Sequence, residues 1–466
     1  MTGISQVKDY PYNSLINVSS FVNMEFFLSS LTLWLLAGTV LVPHLEIGGI
    51  SIGLDDASAI VLIIAFVGYF LLKPKNLFLR RDGLLITGLW VCLIFTGVIF
   101  SVIGGLFYID EFRLPSEMWQ YVKRMLFFCC TCYVSYRSLI SSRNFCRCLN
   151  YVLMVAFFIG ILQVFPGSIG NHLASLYART EGQLACAENP FAYLRNYGVA
   201  GFSTAWGGFA VFGVAVSLGG LLAGREAQVK RRFYSFKLWL LLVLALINIL
   251  FSGSRAAIAA LLAVYILAVL LGVIYMRRKL RFLLYYVGGF VLVSGWFTYA
   301  FWNKLLFLVF RFGALIDQSG GNRVEQVKAG LSLLRNSKDW LFGVGNATQR
   351  ALATSFGTEV EPAYLLVNYG ILGVVLRYGL LLVIFIYAWR QIKSAAQNDR
   401  DLAIATILSL AGYFVFSFGY FFFQELYVGM LPWLIFGWVV GSFYRDSHLR
   451  LCGASVATPS FREVLQ

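Results

Sequence analysis

The sequence predicts an all-α fold, a polytopic transmembrane helix bundle, and three observations support that prediction. Hydrophobic residues make up 59% of the 466-residue chain and charged residues only 13%, about half of what soluble proteins carry. The mean hydropathy is +0.76. Apolar runs close to the roughly 20 residues that a bilayer-crossing helix needs recur along the chain. A soluble fold is excluded, and we expect one transmembrane domain over residues 1–466.

The apolar runs divide the chain into about 12 predicted spans, since each run has the length of a membrane helix. They lie at residues 26–42, 57–72, 83–107, 119–134, 149–165, 202–223, 233–251, 256–276, 282–301, 371–389, 402–423 and 428–443. No cleavable signal peptide is expected, because the first 24 residues are mixed polar.

Lysine and arginine mark every second connection between these spans. Basic clusters follow the second, fourth, sixth, eighth and tenth spans, whereas the connection at residues 44–56 has no lysine or arginine. Cationic loops stay on the cytoplasmic side of a membrane. The pattern predicts a multi-pass protein of the bacterial inner (cytoplasmic) membrane with both termini in the cytoplasm. The net charge of +15 therefore indicates topology, and no nucleic acid partner is expected.

Two predicted external loops are long, at residues 166–201 and 302–364. The second carries seven lysines and arginines, and loops beyond about 60 residues escape the charge rule. The cations fit either lipid headgroups or an anionic ligand at the outer face. Within this periplasmic loop, Val324, Val327, Leu331 and Leu334 have helical spacing, which predicts an amphipathic helix over residues 323–336.

The run Ser252-Gly-Ser-Arg255 places an arginine between two apolar helices with almost no loop. Charge at membrane depth is costly, so Arg255 has to reach outward or meet an anion. The turn also offers backbone N–H groups at the start of a helix, which favours an anion site. An interfacial arginine that caps a tight turn is the simpler alternative.

A second motif begins at Glu361-Pro-Ala-Tyr364 and runs into a span that contains Arg377. Glu361 lies at a helix start with proline in the first turn, and it is either a capping charge or a base for a sugar hydroxyl. Arg377 lies roughly 9 Å past Ile371 along the helix. It could pair with a phosphate or with a carboxylate such as Glu425.

Charged and aromatic residues also meet in the first long loop, between residues 179 and 206. Arg195 and Tyr197 are candidates for phosphate and sugar contacts there, although an interfacial aromatic belt explains the same residues. Lys123 and Arg124 near the outer end of the fourth span could complete a cationic ring with Arg323 and the other cations of the large loop.

Some kinds of site have no motif in this sequence. It has no P-loop, no paired acids for a metal-bound nucleotide sugar and no histidine cluster, so neither a metal nor another cofactor is expected. Cys129, Cys130 and Cys132 stand in an apolar span without histidine partners, and we interpret them as packing residues.

Together, Ser252-Gly-Ser-Arg255, Trp340-Leu-Phe-Gly-Val-Gly345 and Glu361-Pro-Ala-Tyr364 with Tyr369-Gly-Ile-Leu-Gly373 resemble the bacterial O-antigen polymerase and O-antigen ligase superfamily. The resemblance covers residues 195–389, about two fifths of the chain. It implies a GT-C-type glycosyltransferase architecture and undecaprenyl-diphosphate-linked glycans as substrates at the periplasmic face. Arg255 and Arg323 would then bind the diphosphate, and Glu361 and Tyr364 would lie at the reacting sugar.

One departure from the family pattern bears on the type of transfer. Ligases of this superfamily usually carry a histidine near the end of the large loop, where this chain has Glu361-Pro-Ala-Tyr364 and no histidine anywhere in residues 302–364. The sequence therefore favours a Wzy-type repeat-unit polymerase, with a chain-length-regulating co-polymerase as a further partner. An O-antigen ligase or protein O-oligosaccharyltransferase and a lipid-linked glycan flippase remain alternatives.

Overall fold

The structure, a computed structural model, is helical apart from one short hairpin. It describes residues 15–43, 45–47, 50–72, 116–164, 167–178, 196–223, 232–275, 323–345, 359–394, 397–420 and 428–451, with isolated positions 288, 295 and 299. Thirteen α-helices lie in these ranges: α1 Leu15–Leu41, α2 Leu54–Leu72, α3 Ser116–Tyr136, α4 Ser142–Leu162, α5 Ser168–Tyr177, α6 Ser203–Ala223, α7 Arg232–Ser252, α8 Arg255–Tyr275, α9 Arg323–Leu331, α10 Ser337–Phe342, α11 Glu361–Ser394, α12 Gln397–Phe416 and α13 Leu431–Leu451.

Ten of these helices coincide with predicted spans, namely α1 to α4, α6 to α8 and α11 to α13. The predicted spans at 83–107 and 282–301 lie outside the described residues, except for the three isolated positions in the second. Within the described part of the chain, five helices are long and apolar enough to cross a membrane by length and composition, at Ser142–Leu162, Ser203–Ala223, Ser235–Ser252, Arg255–Ile274 and Glu361–Ile392. The chain is therefore a multi-pass membrane protein.

A two-stranded antiparallel hairpin joins α1 to α2 and is the exception to the all-α prediction. Strand β1 (Leu45–Ile47) pairs with β2 (Ile50–Ile52), with Leu45 opposite Ile52. The sequence places Gly48-Gly49 between the strands, a dipeptide that two-residue hairpin turns favour. The connection between α1 and α2 thus contains regular structure.

Helix α6 forms the centre of the bundle. Every residue from Thr204 to Ala223 is buried, and α7, α8 and α12 all pack against it. Its sequence is rich in glycine and alanine, and small residues let membrane helices approach closely. A helix that is apolar on all sides is typical of such a central position or of a span that faces lipid.

Helices α3 and α13 pack closely through two glycines four residues apart. A β-carbon on Gly437 would lie 2.2 Å from the carbonyl oxygen of Phe128, and one on Gly441 would lie 2.2 Å from that of Cys132. This is the small-xxx-small arrangement that brings membrane helix backbones together. It fixes the position of α3, which carries Lys123 and Arg124.

A polar clamp, formed by Ser142, Gln391, Asp399, Arg445 and Asp446, ties five helix termini together at one end of the bundle. The Arg445 Nη2 atom lies 2.5 Å from Asp399 Oδ2, and the Ser142 hydroxyl donates to Asp399 Oδ1 at 2.5 Å. Gln391 Nε2 donates to Asp446 Oδ2 at 3.2 Å, and Arg445 Nη1 donates to the backbone oxygen of Ser135. The ends of α3, α11 and α13 and the starts of α4 and α12 therefore lie together, as the charge alternation predicted.

The amphipathic helix predicted over residues 323–336 is shorter in the structure. Helix α9 ends at Leu331, and Asn336 begins α10 with a capping box that it forms with Asp339. The apolar spacing continues across this break, because Leu334 packs with Val344 and Val367 in a small separate cluster. The prediction of one continuous helix was wrong because a cap at Asn336 starts a second one.

Candidate active site

Helix α11 bends sharply and brings two of its own charged residues into contact. Glu361 and Arg377 are 16 residues apart in sequence, yet Arg377 Nε lies 3.4 Å from Glu361 Oε1. In a straight helix the two Cα atoms would be about 24 Å apart. Gly370, between them, has φ +66° and ψ −169°, and this non-helical residue turns the first part of the helix back on the second.

Residues 344–345 of the large loop form backbone hydrogen bonds with the helix just before this bend. The N–H of Val344 donates to the oxygen of Val367 at 2.8 Å, and that of Gly345 donates to the oxygen of Asn368 at 3.2 Å. A β-carbon on Gly370 would lie 2.3 Å from the Leu341 oxygen. The two motifs that resemble the family therefore meet here, with the backbone around residues 343–345 crossing the backbone at Gly370.

Two aromatic residues from other helices contact the Glu361–Arg377 ion pair. The phenol of Tyr413 on α12 donates a hydrogen bond to Glu361 Oε2 and accepts one from Arg377 Nη2 at 3.4 Å. The Arg377 guanidinium lies 5.1 Å from the centre of the Trp433 ring. All four side chains are buried. Burial of an ion pair is favourable only with such additional partners.

Sequence reasoning missed Tyr413 and Trp433. They stand on spans 36 and 56 residues after Arg377, and no local motif links them to it. A tyrosine inside an apolar span was the one available signal, since a buried hydroxyl usually has a partner. The expected partner Glu425 lies outside the described residues, and the structure pairs Arg377 with Glu361 instead.

Arg323 and the start of α8 lie beside the C-terminal end of α12, which also contacts Glu361. The backbone N–H of Glu361 donates to the oxygen of Ser417 at 3.0 Å. A β-carbon on Gly419 would lie 2.6 Å from the Ala256 β-carbon and 3.6 Å from Arg323 Nη1. Arg323 and the first turn of α8 therefore flank the same residue.

The Ser252-Gly-Ser-Arg255 turn joins α7 to α8 and uses its own polar groups. The N–H of Ser254 donates to the Ser252 hydroxyl at 3.2 Å, and the N–H of Ala257 donates to the Ser254 hydroxyl at 3.3 Å. The N–H of Gly253 donates to the Leu250 oxygen at 3.2 Å. These N–H groups, which we expected to be open to an anion, are engaged within the turn. The half-buried Arg255 is left as the turn's candidate anion ligand.

Arg323 begins α9 and is partly exposed, with 23% of its side-chain surface open. Its Nη2 atom lies 3.4 Å from Oε2 of Glu359, whose side chain is 37% exposed. The backbone N–H of Glu359 donates to Gln326 Oε1 at 3.5 Å. The structure thus identifies Glu359 as a carboxylate partner of the predicted site residue Arg323. No sequence motif pointed to Glu359.

The cations of α3 are enclosed between helices. Lys123 is fully buried and pairs with both Asp55 and Asp56, so its charge is neutralised at the start of α2. Arg124 is also buried, and its guanidinium lies 5.5 Å from the Tyr121 ring centre. Lys123 is therefore balanced by the carboxylates of α2, whereas Arg124 lies close enough to Glu361 to interact with its charge.

The two tyrosines predicted for the site, Tyr364 and Tyr197, are buried as well. Tyr364 and Tyr121 both meet the ring of Tyr369 edge-on, at 6.5 Å and 6.4 Å. Tyr197 donates to the Ala174 oxygen at 2.8 Å and so anchors α5. Arg195 lies outside the described residues. Of the predicted site residues, Arg124, Arg323, Glu361 and Arg377, together with the turn that carries Arg255, lie around the start of α11 and the end of α12.

One comparison with known proteins matches the part of the chain that contains these residues. A family model described as O-antigen ligase matches residues 240–378, a range that contains Arg255, Arg323, Glu361 and Arg377. No curated protein matches the chain. The match is to a family of membrane enzymes that transfer glycans, and it confirms the resemblance found in the sequence. Residues 240–378 are therefore similar to the O-antigen ligase family, the superfamily that the sequence motifs resemble.

Proposed function

We propose that this protein is a membrane glycosyltransferase that joins undecaprenyl-diphosphate-linked oligosaccharide repeats into a longer lipid-linked glycan at the periplasmic face. The polymer would be O-antigen or a related surface polysaccharide. The observation that carries the proposal is the meeting of Arg323 and the Arg255 turn at Gly419, beside the carboxylates of Glu359 and Glu361 and inside the family match.

Two arginines suit a diphosphate leaving group. The guanidinium fork matches phosphate geometry and stays charged under all relevant conditions. As the bond between the sugar and the diphosphate breaks, negative charge develops on the leaving oxygen, and cations placed there stabilise it. A carboxylate of the segment Glu359–Glu361 would accept the proton of the acceptor hydroxyl. This scheme needs no metal and no nucleotide.

Polymerisation is favoured over ligation because Glu361-Pro-Ala-Tyr364 stands where ligases of the superfamily usually have a histidine. Ligation is the second candidate, and the description of the matching family supports it. The two reactions share the donor and differ in the acceptor, which is another lipid-linked repeat for a polymerase and a lipid core oligosaccharide or a protein for a ligase.

The test is a reconstituted reaction in detergent with purified protein and lipid-linked repeats. A ladder of longer lipid-linked chains is the expected result, and deletion of the gene should leave surface glycan of one repeat. Transfer that requires a lipid core or a protein acceptor would establish the ligase alternative. A flippase cannot lengthen a glycan chain when no membrane is present. The absence of any glycan transfer by correctly folded protein would therefore overturn the proposal.

A further inference from the structure

The carboxylate expected to act as the base, Glu361, is closed off in this structure. Its side chain is fully buried. Arg377 Nε donates to one of its oxygens, the Tyr413 phenol donates to the other, and its own N–H is held by Ser417. A base has to come within hydrogen-bond reach of the hydroxyl proton. Glu361 is instead fixed by contacts from two helices.

Glu359 lies two residues earlier, just before α11 begins, and its side chain is partly exposed. Its side chain is 37% exposed, and Oε2 lies 3.4 Å from Arg323 Nη2. One guanidinium has five N–H donors in a planar fork, so Arg323 can hold this carboxylate and a phosphate oxygen at the same time. The arrangement would set the base and the leaving group at a fixed separation around the sugar carbon.

The other described carboxylates of this region have different surroundings. Asp339 accepts the N–H groups of Arg335 and Asn336 in a helix cap, and Asp55 and Asp56 pair with Lys123. Glu325 is exposed on α9. Glu359, by contrast, is partly exposed and lies 3.4 Å from Arg323, a proposed phosphate ligand.

We propose that Glu359, and not Glu361, is the catalytic base, an inference that rests on the proposed function. The acceptor hydroxyl transfers its proton to the Glu359 carboxylate as its oxygen forms a bond to the anomeric carbon. The bond from that carbon to the diphosphate oxygen breaks, and its electron pair leaves with the lipid diphosphate beside Arg255 and Arg323. The proton then passes from Glu359 to water. Glu361 is a positioning residue that holds Arg377 and Tyr413.

The experiment compares Glu359→Gln, Glu361→Gln and the control Glu325→Gln in the detergent reaction, with donor KM, kcat and thermal unfolding measured for each. Loss of a general base lowers rates by about 10²–10⁴-fold. For Glu359→Gln we expect a fall in kcat of that size, an unchanged donor KM and an unchanged melting temperature. Glu359→Ala should recover turnover when formate is added, because a small carboxylate can enter the vacated space. Glu325→Gln should behave as the wild type.

The results separate this inference from the proposed function. If wild-type protein gives no chain growth, the proposed function is wrong, whereas growth by wild type with a kcat loss below about tenfold in Glu359→Gln overturns only the base assignment. A loss confined to donor KM would also overturn it, since it would make Glu359 a mere partner of Arg323. So would a folded Glu361→Gln protein that loses turnover while Glu359→Gln keeps it.

Discussion

Gly343 and Gly370 cross so closely that neither has room for a β-carbon. An added β-carbon would lie 2.5 Å from the Tyr369 nitrogen at Gly343 and 2.4 Å from the Phe342 nitrogen at Gly370. Both glycines have positive φ, +78° and +66°. Backbone atoms cannot move aside as a flexible side chain can, so the fold-back of α11 depends on these two residues.

Gly370→Ala is therefore expected to destabilise the protein and to stop chain growth. The backbone conformation of Gly370 alone costs about 1–3 kcal/mol with a β-carbon, and the clash with Leu341 and Phe342 adds to it. Gly379→Ala in the same helix is the control, because its β-carbon would meet nothing within 4 Å and alanine favours helix. Thermal unfolding of the two purified variants checks this. Equal stability of both would show that the crossing is not required.

Arg377 and Glu361 should depend on each other for stability. Removal of one partner of a buried ion pair costs about 3–5 kcal/mol, because the other charge is left unpaired. Arg377→Met and Glu361→Gln should each lower the melting temperature, and the double variant should lose less than the sum of the two. Unfolding of all four proteins in one detergent gives the coupling. Additive losses would contradict the contact.

Arg255→Ala and Arg323→Ala should each reduce chain growth by about 100-fold, the effect of removing one donor to developing negative charge. Their melting temperatures should stay near that of the wild type, because both side chains are partly exposed. Arg335→Ala, at an exposed arginine after α9, is the matched control. Normal long chains from both variants at normal expression would rule out the diphosphate roles.

Arg445→Ala should act on stability and leave catalysis intact. The clamp and Gly419 lie beyond opposite ends of α12, and Asp399 is buried. Asp399 keeps its hydrogen bond from Ser142, so loss of its cation should cost less than the roughly 3–5 kcal/mol of a bare buried charge. Arg143→Ala, at an exposed residue of α4, is the control. Turnover per folded molecule is measured beside the melting temperature. A large loss of turnover at low temperature, with the protein folded, would contradict separate roles for the two ends.

Hydropathy and charge predicted much of this architecture, because lipid requires apolar helices and topology follows loop charge. The regions of ten helices follow from the order of the apolar spans, which also predicted that Arg255, Arg323 and Glu361 lie on the same side of the membrane. The family motifs pointed to the same residues, and the family match confirmed that resemblance.

The contacts inside the site could not be predicted in this way. The pairing of Glu361 with Arg377 needs a backbone bend at Gly370, and a helical reading places the two about 24 Å apart. Tyr413 approaches from a different helix, and hydropathy does not determine which faces of neighbouring helices meet. Lys123 looked like an open cation because Asp55 and Asp56 are far from it in sequence.

The complete burial of α6 restricts how the protein can assemble. A helix enclosed on all sides retains no surface for lipid in its final place, and one of the helices that enclose it, α12, begins only at Gln397. The ribosome therefore completes most of the chain before α6 can be surrounded. Until then its glycine-rich flanks face lipid or other helices, so biogenesis of this protein must proceed through a bundle whose centre is still open.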